Sequence, residues 1–300
     1  MSTDKTPGSR KEVLPPSPPL RLGTSSWSSA DWVGPFYPPG TPPREYLSFY
    51  ATRYDTVEVD STWYRVPRAS MVDGWRDSTP GGFAFAAKVP RSITHEKALV
   101  DCAEDMAGFV KVMERLGEKL GPLLLQFEYV AKGKDPDEYR TGAGFLSRLE
   151  AFLPSLPSGH RFVVEVRNET WLGPRLLDML RARNVSLALT AYFTMPAAGH
   201  WMKLVDQAGG PPGEIAYVRF LGHHRRMDEQ VAAAVKAGTR ATAWGSLLED
   251  RSAEVEQWIP ALRDLVSRRI PVFAYFNNHY AGYGPGSLEL FRKLWERLKA

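Results

Sequence analysis

The chain has 300 residues, of which 38 are Lys or Arg and 34 are Asp or Glu, and its formal net charge is +4. This small excess lacks the concentrated basic stripe of a dedicated nucleic-acid-binding protein, so nucleic acid is not an indicated partner. A single domain of this length buries about 75% of its unfolded surface and needs no covalent staple. The single cysteine, Cys102, excludes an intramolecular disulfide, which fits a reducing cytoplasm.

Residues 1–19 contain charges and prolines but no apolar region, which predicts a disordered tail and argues against a signal peptide. Residues 20–300 are predicted to form one domain. No window in the sequence reaches the roughly 18 uninterrupted apolar residues of a membrane span. We therefore expect a cytoplasmic protein without a membrane partner.

Eight short apolar runs recur along the chain, and most of them end in a charged or amide residue. They are LRLGTSS (20–26), TVEVD (56–60), FAFAAKV (83–89), PLLLQF (122–127), RFVVEVR (161–167), VSLALT (185–190), IAYVRF (215–220) and PVFAYFNNH (271–279). Most of them are separated by enough chain for a helix. Strand and helix alternating eight times predict an α/β fold, a single (β/α)8 TIM barrel, which typically uses about 250 residues.

The segments between these runs differ in pattern. The aromatic loop 27–43 is long enough for us to expect it at a ligand site. Residues 94–119 predict a helix that holds Cys102 as a buried, inert thiol, whereas 191–213 is only weakly patterned. The other helices are expected within 44–54, 63–80, 144–153, 173–184, 225–235, 253–269 and 287–299, the last with Ser287 as its N-cap.

Side chains alternate along a strand, so the apolar positions identify the face that meets the helices. The opposite, inward positions then include Glu58, Asp60, Lys88, Gln126, Glu165, Arg167 and Arg219. The eighth strand sends inward either Tyr275, Asn277 and His279 or Phe276 and Asn278. A purely structural barrel would place Val, Ile and Leu at such positions, and barrel enzymes carry their chemistry at the carboxyl ends of the strands. The charged set therefore predicts a site there.

Several longer motifs in this chain are unusual. They include GTSSWSSADWVGPFYP, VEVDSTWY, KVPRSITH, EVRNETW, YVRFLGHH and YFNNHYAGYGPGS. Together they resemble the YecE-like proteins, domain of unknown function 72, in order over about residues 20–298. The resemblance implies a TIM barrel and no established reaction. Many members of the family carry an acidic residue near the end of the sixth strand, where this chain has Thr190 and Tyr192.

Three chemistries are compatible with the inward residues. A divalent metal could be held by Glu58, Asp60, Glu165 and His279, but three basic side chains share the space, so no cofactor is predicted and a metal stays the alternative. Acid–base catalysis would use Glu58, Asp60, Lys88, Glu165 and Arg167. The structural alternative is that these charges pair into a satisfied ionic layer.

Anion binding is the third possibility. GHHRR (222–226) follows the seventh strand, and GYGPGS (282–287) opens a helix after the eighth, where barrels often bind phosphate. The candidate ligand-binding residues are Trp27, Trp63, Tyr64, Gln126, Arg219, Asn277, Asn278, His279 and Gly284, and Trp32 and Trp171 extend the aromatic set.

We expect an enzyme, of the hydrolase or lyase class, that applies acid–base chemistry to a polar anionic small molecule of phosphorylated, nucleotide-like or sugar-like type. One alternative is a metal-dependent phosphoesterase or nuclease. The other is a non-catalytic module that binds nucleic acid or a metabolite through its basic rim. The sequence carries no signal for an oligomeric state.

Overall fold

Eight parallel strands form a nearly closed barrel, which confirms the predicted TIM-barrel fold. The computed structural model describes residues 19–131 and 141–298. The strands are β1 (Leu20–Thr24), β2 (Thr56–Val59), β3 (Ala84–Lys88), β4 (Leu120–Gln126), β5 (Phe162–Glu165), β6 (Ser186–Tyr192), β7 (Ala216–Gly222) and β8 (Val272–Phe276). Hydrogen-bonded neighbours follow the order β1-β8-β7-β6-β5-β4-β3-β2. A bridge between Ser25 and Glu58 joins β1 to β2.

The helices lie outside this barrel and between its strands. They are α1 (Tyr46–Tyr50), α2 (Ala69–Asp77), α3 (Ala103–Met113), α4 (Gly142–Phe152), α5 (Pro174–Arg181), α6 (Ala198–Gln207), α7 (His224–Lys236), α8 (Ser252–Ser267), α9 (Asn278–Ala281) and α10 (Gly284–Arg297). Both helices expected after β7 form, as α7 and α8. The weakly patterned segment 191–213 contains the regular helix α6.

Alternation along the strands produces two separate apolar layers. The barrel interior is packed by Ala84, Ala86, Leu124, Val163, Ala188, Ile215, Tyr217, Phe273 and Tyr275. The opposite strand faces pack with the helices into a larger outer core. This division confirms the predicted inward faces of β3, β4, β5 and β7, and it selects Tyr275 over Phe276 on β8. These side chains fill the middle of the barrel, and the charged residues Glu58, Glu165 and Arg219 lie above them, towards the carboxyl ends of the strands.

Two helices begin differently from the prediction. α1 is shorter than 44–54 because Pro43 opens a separate 3-10 turn ahead of it. The helix expected over 94–119 is regular only from Ala103, since Ala98, Leu99 and Asp101 adopt positive φ. Cys102, at the start of α3, is buried, and burial raises the pKa of its thiol. This setting fits the expected inert thiol.

The C-terminal segment also departs from the prediction. β8 ends at Phe276, because the Asn277 side chain accepts a hydrogen bond from the His279 backbone N–H and starts α9. Ser287 is not the N-cap of the last helix. α10 begins at Gly284, and the Ser287 hydroxyl donates instead to the Tyr283 carbonyl at 2.9 Å.

The aromatic loop 27–43 packs on the outside of the barrel. Trp32 and Tyr37 are buried in the outer core, and Tyr37 stacks on Tyr46 of α1 with ring centroids 4.3 Å apart. These two rings thus stabilise the contact with α1, while Asp31 of the same loop accepts a hydrogen bond from the Trp244 backbone N–H at 3.1 Å.

Two expectations concern the ends of the chain and the membrane. Apart from Pro19, the predicted tail 1–19 lies outside the described residues. Within 19–131 and 141–298, no helix combines the length and the apolar character needed to cross a bilayer.

Candidate functional site

A buried ionic network lies above the barrel core, with Arg219 of β7 at its centre. The Arg219 guanidinium holds Glu58 of β2 through two hydrogen bonds, Nη2 to Oε1 at 2.7 Å and Nε to Oε2 at 2.8 Å. Its third nitrogen, Nη1, donates to Glu165 Oε2 of β5 at 2.6 Å. All three side chains are fully buried. One arginine therefore ties together three strands.

The one remaining carboxylate oxygen, Glu165 Oε1, is also occupied, and Glu58 Oε2 has a second donor. Arg167 Nε donates to Glu165 Oε1 at 2.9 Å, and the Tyr217 hydroxyl donates to Glu58 Oε2 at 2.7 Å. Burial alone would raise the pKa of Glu165, but Arg219 and Arg167 outweigh it and lower that pKa. For Glu58 and Glu165 the geometry is thus that of the paired ionic layer.

Asp60 and Lys88 form a second ion pair at the edge of the network. The Lys88 side chain is nearly buried, whereas the Asp60 side chain keeps 35% of its surface accessible. Burial opposes ionisation of Asp60, but Lys88, followed by Arg219 and His224, lowers its pKa. Asp60 is therefore an ionised carboxylate that is open to the mouth of the barrel.

The end of β8 orients a histidine. Asn277 Oδ1 accepts from the His279 ring at Nδ1 (2.7 Å), and His279 Nε2 lies 3.0 Å from Asp228 of α7. Asn278 instead accepts from the Gly284 backbone N–H at 2.8 Å. Asn277 continues the inward side of β8. The Gly284 backbone N–H is therefore already bonded to Asn278 and is not free to bind a phosphate.

His224, which the sequence argument did not select, lies at the centre of the mouth. It is the first residue of α7, and its ring centroid is 4.4 Å from that of His279. Burial, followed by His279 and Arg167, lowers the pKa of His224 to about 3. The ring is therefore neutral near pH 7. In an extended chain His223 and His224 would face apart, and only the start of the helix places His224 here.

The lowered pKa of His224 predicts a pH-dependent stability. The unfolded chain takes up this proton below pH about 6.5, whereas the folded chain does not until pH about 3. Between these values the free energy of unfolding should fall with decreasing pH, by up to about 1.4 kcal/mol per pH unit from this group. We expect His224→Asn to flatten the slope of urea-unfolding free energy against pH. His200→Asn, at an exposed histidine of α6, should leave it unchanged; equal slopes in all three proteins would contradict the assignment.

The aromatic residues expected at the mouth divide into two groups. Trp63 follows β2, with Arg91 above its ring at 5.2 Å and His95 beside it at 5.3 Å, and Tyr64 next to it is 65% exposed. Trp27 instead packs against Trp75 of α2 at 5.6 Å. Trp32 and Trp171 are buried in the outer core. Trp63 and Tyr64 alone of this set reach the mouth.

A second aromatic wall lies across the mouth, after β6. Tyr192 carries the Arg167 guanidinium over its ring at 4.8 Å, and Phe193 stacks on His223 at 4.0 Å. Trp244 meets His279 at 4.7 Å. The sequence signal for this wall is the aromatic pair Tyr192-Phe193 at the end of β6.

Several polar atoms at the mouth have no hydrogen-bond partner within the described part of the chain. They are Ser25 Oγ, Trp63 Nε1, Thr190 Oγ1 and His224 Nε2. Thr190 is fully buried and pairs in register with Arg219, and Ser25 is bridged to Glu58, so both face inward. Gln126, in register with Glu165, donates from its amide to the Phe127 carbonyl at 2.9 Å. Buried polar groups without partners are rare, and each costs about 1–3 kcal/mol.

The proposed metal donors do not fit a metal ion. The carboxylate oxygens of Glu58 and Glu165 accept hydrogen bonds from arginine and tyrosine side chains. Asp60 is paired with Lys88, and His279 has an oxygen atom within hydrogen-bond distance of each ring nitrogen. Across residues 19–131 and 141–298, no group of three or more His, Cys, Asp or Glu is arranged to hold one.

A groove of about 920 Å³ lies at the opposite, N-terminal end of the barrel, between Leu20, Phe83 and Trp295. Its buried arginine, Arg21, is held by Asp55 and the Gly82 carbonyl. Because barrel chemistry belongs to the other end, and because this arginine is already bound, we assign the groove no role at the site.

Comparison with known proteins places this chain in a family. The family model described as "Protein of unknown function DUF72" matches residues 21–300. The UPF0759 protein YunF of Bacillus subtilis is 23% identical over 281 residues, which cover 88% of this chain and 90% of YunF. The UPF0759 protein YecE of Escherichia coli is 31% identical over 149 residues, and that match spans about half of either protein.

Solved structures of DUF72 family proteins have the same fold as this chain. A DUF72 family protein from Thermotoga maritima has a TM-score of 0.65 at 24% identity, covering 92% of this chain and 99% of its own. One from Enterococcus faecalis has a TM-score of 0.63 at 19% identity, covering 92% and 95%. A D-psicose 3-epimerase reaches 0.51 at 14% identity, covering 86% and 84%, and shares the fold alone. The match of the family model over nearly the whole length shows that this chain belongs to the DUF72 family.

Proposed function

We propose that this chain is an enzyme that binds a small polar molecule at the carboxyl ends of its strands and transfers protons there. The candidate substrate classes are phosphorylated, nucleotide-like and sugar-like molecules. The observation that carries the proposal is the set of unpartnered polar atoms around one charged centre, described above. A bound ligand would complete those hydrogen bonds, and such convergent polar groups are typical of small-molecule sites.

The charged residues at the mouth fall into two groups, according to how accessible their side chains are to solvent. Glu58, Glu165, Arg167 and Arg219 form a closed network that supports a fixed electrostatic field and positions other groups. Asp60 is partly accessible and ionised, and Lys88 is its partner. We therefore assign proton transfer to Asp60 and Lys88, and ligand orientation to His224 and Thr190.

The two alternatives from the sequence receive less support. A metal-dependent phosphoesterase would need donors that are engaged elsewhere in this structure. A nucleic-acid module would need an exposed cationic surface, whereas the rim arginines Arg91, Arg225 and Arg226 each pair with a glutamate. We therefore propose a small-molecule ligand, with neither nucleic acid nor membrane as a partner.

Ligand-induced thermal stabilisation, followed by NMR of the ligand, tests this function. Inorganic phosphate, AMP, ribose 5-phosphate and D-glucose represent the candidate classes. We expect at least one probe to raise the Tm and to be chemically converted. Asp60→Asn should retain the Tm shift but slow conversion by about 100-fold, a typical acid–base contribution.

The matched control is Asp178→Asn, at an exposed carboxylate of α5. It should change neither the Tm shift nor the rate of conversion. A stabilising probe that is never converted would contradict the enzyme assignment, and the absence of stabilisation by every probe would contradict the site itself.

A further inference from the structure

The mouth of the barrel holds as many fixed negative as positive side chains. Glu58, Asp60 and Glu165 face Lys88, Arg167 and Arg219, and every member of this set has an opposite charge within ion-pair distance. A phosphate group entering here would meet no spare cation among these residues. The phosphate would have to displace a carboxylate from its ion pair, or its own negative charge would have no cation beside it. Both carry a high free-energy cost in a buried site.

The two histidines beside this set add no free positive charge. The pKa of His224 is lowered to about 3, mainly by burial, so its ring is neutral near pH 7. Burial also lowers the pKa of His279, although Asp228 opposes the shift.

The four unpartnered atoms named above belong to neutral groups, and the carboxylate oxygen Asp60 Oδ1, which also lacks a hydrogen bond, is within ion-pair distance of Lys88. Ser25 and Thr190 offer hydroxyls, Trp63 an indole N–H, and His224 an imidazole nitrogen. A ligand hydroxyl both donates and accepts, so it can satisfy each of these groups without any change of charge. Since Thr190 is fully buried, bulk solvent does not reach its hydroxyl, and a partner for it would have to be a bound molecule.

Rings stand on two sides of the same space. Trp63 lies on the β2 and β3 side, and Tyr192 lies on the β6 side, 5.9 Å from His224 between ring centroids. Flat apolar faces combined with neutral hydrogen-bonding groups suit a ring that carries hydroxyls on its edge and C–H groups on its faces.

The observations are the balance of charges at the mouth, the neutral groups without partners and the aromatic rings on two sides. From them we infer that the mouth accepts an uncharged, polyhydroxylated ring, such as a monosaccharide or a single sugar unit, in preference to its phosphorylated counterpart. This inference rests on the proposed function and narrows it to one substrate class. Fixed ion pairs then orient ligand hydroxyls, and the unpartnered atoms complete their hydrogen bonds with them.

Calorimetric titration of the whole chain with matched sugars tests the inference. The pairs are D-glucose with D-glucose 6-phosphate, D-fructose with D-fructose 6-phosphate, and D-ribose with D-ribose 5-phosphate. In at least one pair the neutral sugar should bind about tenfold more tightly than its phosphate, a difference of about 1.4 kcal/mol. Thr190→Val should weaken that binding about tenfold, the loss of one hydrogen bond. Thr52→Val, at an exposed threonine after α1, should leave it unchanged.

The outcomes separate this inference from the proposed function. Tighter binding of a phosphorylated sugar, weakened by Thr190→Val, would overturn the inference and leave the proposed function standing. Binding of a neutral sugar that Thr190→Val does not affect would place the ligand elsewhere and overturn the inference. Absence of binding by all six sugars would overturn it as well, and phosphate or AMP in the thermal assay would then decide the proposed function alone.

Discussion

Replacing Arg219 with methionine should reduce the free energy of unfolding by about 3–5 kcal/mol, the effect of removing one partner from a buried ion pair. Arg219 makes three hydrogen bonds to Glu58 and Glu165, and all three side chains are fully buried. Arg219→Met leaves Glu58 buried without a cation and leaves Glu165 with Arg167 as its one basic partner. Urea unfolding measures the change.

Three further proteins make this experiment specific. Arg219→Lys keeps the charge but loses the two-pronged contact to Glu58, so we expect an intermediate loss. Arg175→Met breaks an exposed pair with Glu150 and should cost less than about 1 kcal/mol. Adding Glu58→Gln and Glu165→Gln to Arg219→Met should recover part of the stability, because the two buried carboxylate charges are then gone and only the charge of Arg167 is left without its partner. Equal, small losses in Arg219→Met and Arg175→Met would contradict the buried network.

Gly222→Ala should disrupt the junction between β7 and α7. Gly222 has a φ of +66°, and an added Cβ would lie 2.5 Å from the His279 carbonyl oxygen and 2.9 Å from Tyr280 Cα. A positive φ costs a non-glycine residue about 1 kcal/mol, and overpacking against backbone adds about 1–3 kcal/mol. We expect a loss of about 2–4 kcal/mol in urea unfolding, together with displacement of His279 from His224.

Gly238→Ala separates the two causes. Gly238 has a φ of +70°, but an added Cβ there would meet nothing within 4 Å. It should therefore cost only the conformational strain, about 1 kcal/mol. If the two variants lost the same stability, close packing against α9 would not be the reason why position 222 requires glycine.

The inward positions of the strands could be predicted because a strand has a period of two. Alternation placed Glu58, Glu165 and Arg219 inside the barrel, and the two-layer core has that arrangement. It could not predict their pairing, since Arg219 and Glu58 are 161 residues apart in sequence and meet only through the curvature of the barrel. That both glutamates are engaged in ion pairs can therefore be seen only in the three-dimensional structure.

The residues that sequence reasoning missed lie where alternation ends. β7 terminates at Gly222 with a positive φ, and the helix that follows turns His224 towards the mouth. Thr190 was passed over because it is not a carboxylate, yet its buried hydroxyl is among the groups that point to a ligand. Trp27 is the opposite case, because the sequence predicts it at the ligand site. Its ring instead packs on Trp75 of α2, a contact with no local signal in the sequence.

The stability of Thr190→Val without ligand tests most directly whether the mouth is built to be completed by a bound molecule. An apolar side chain of similar shape would replace a buried hydroxyl that has no partner, so the free energy of unfolding should rise by about 1 kcal/mol in urea. A fall of similar size would mean that the hydroxyl already stabilises the empty barrel, and the account of a ligand site formed by unsatisfied groups would be wrong.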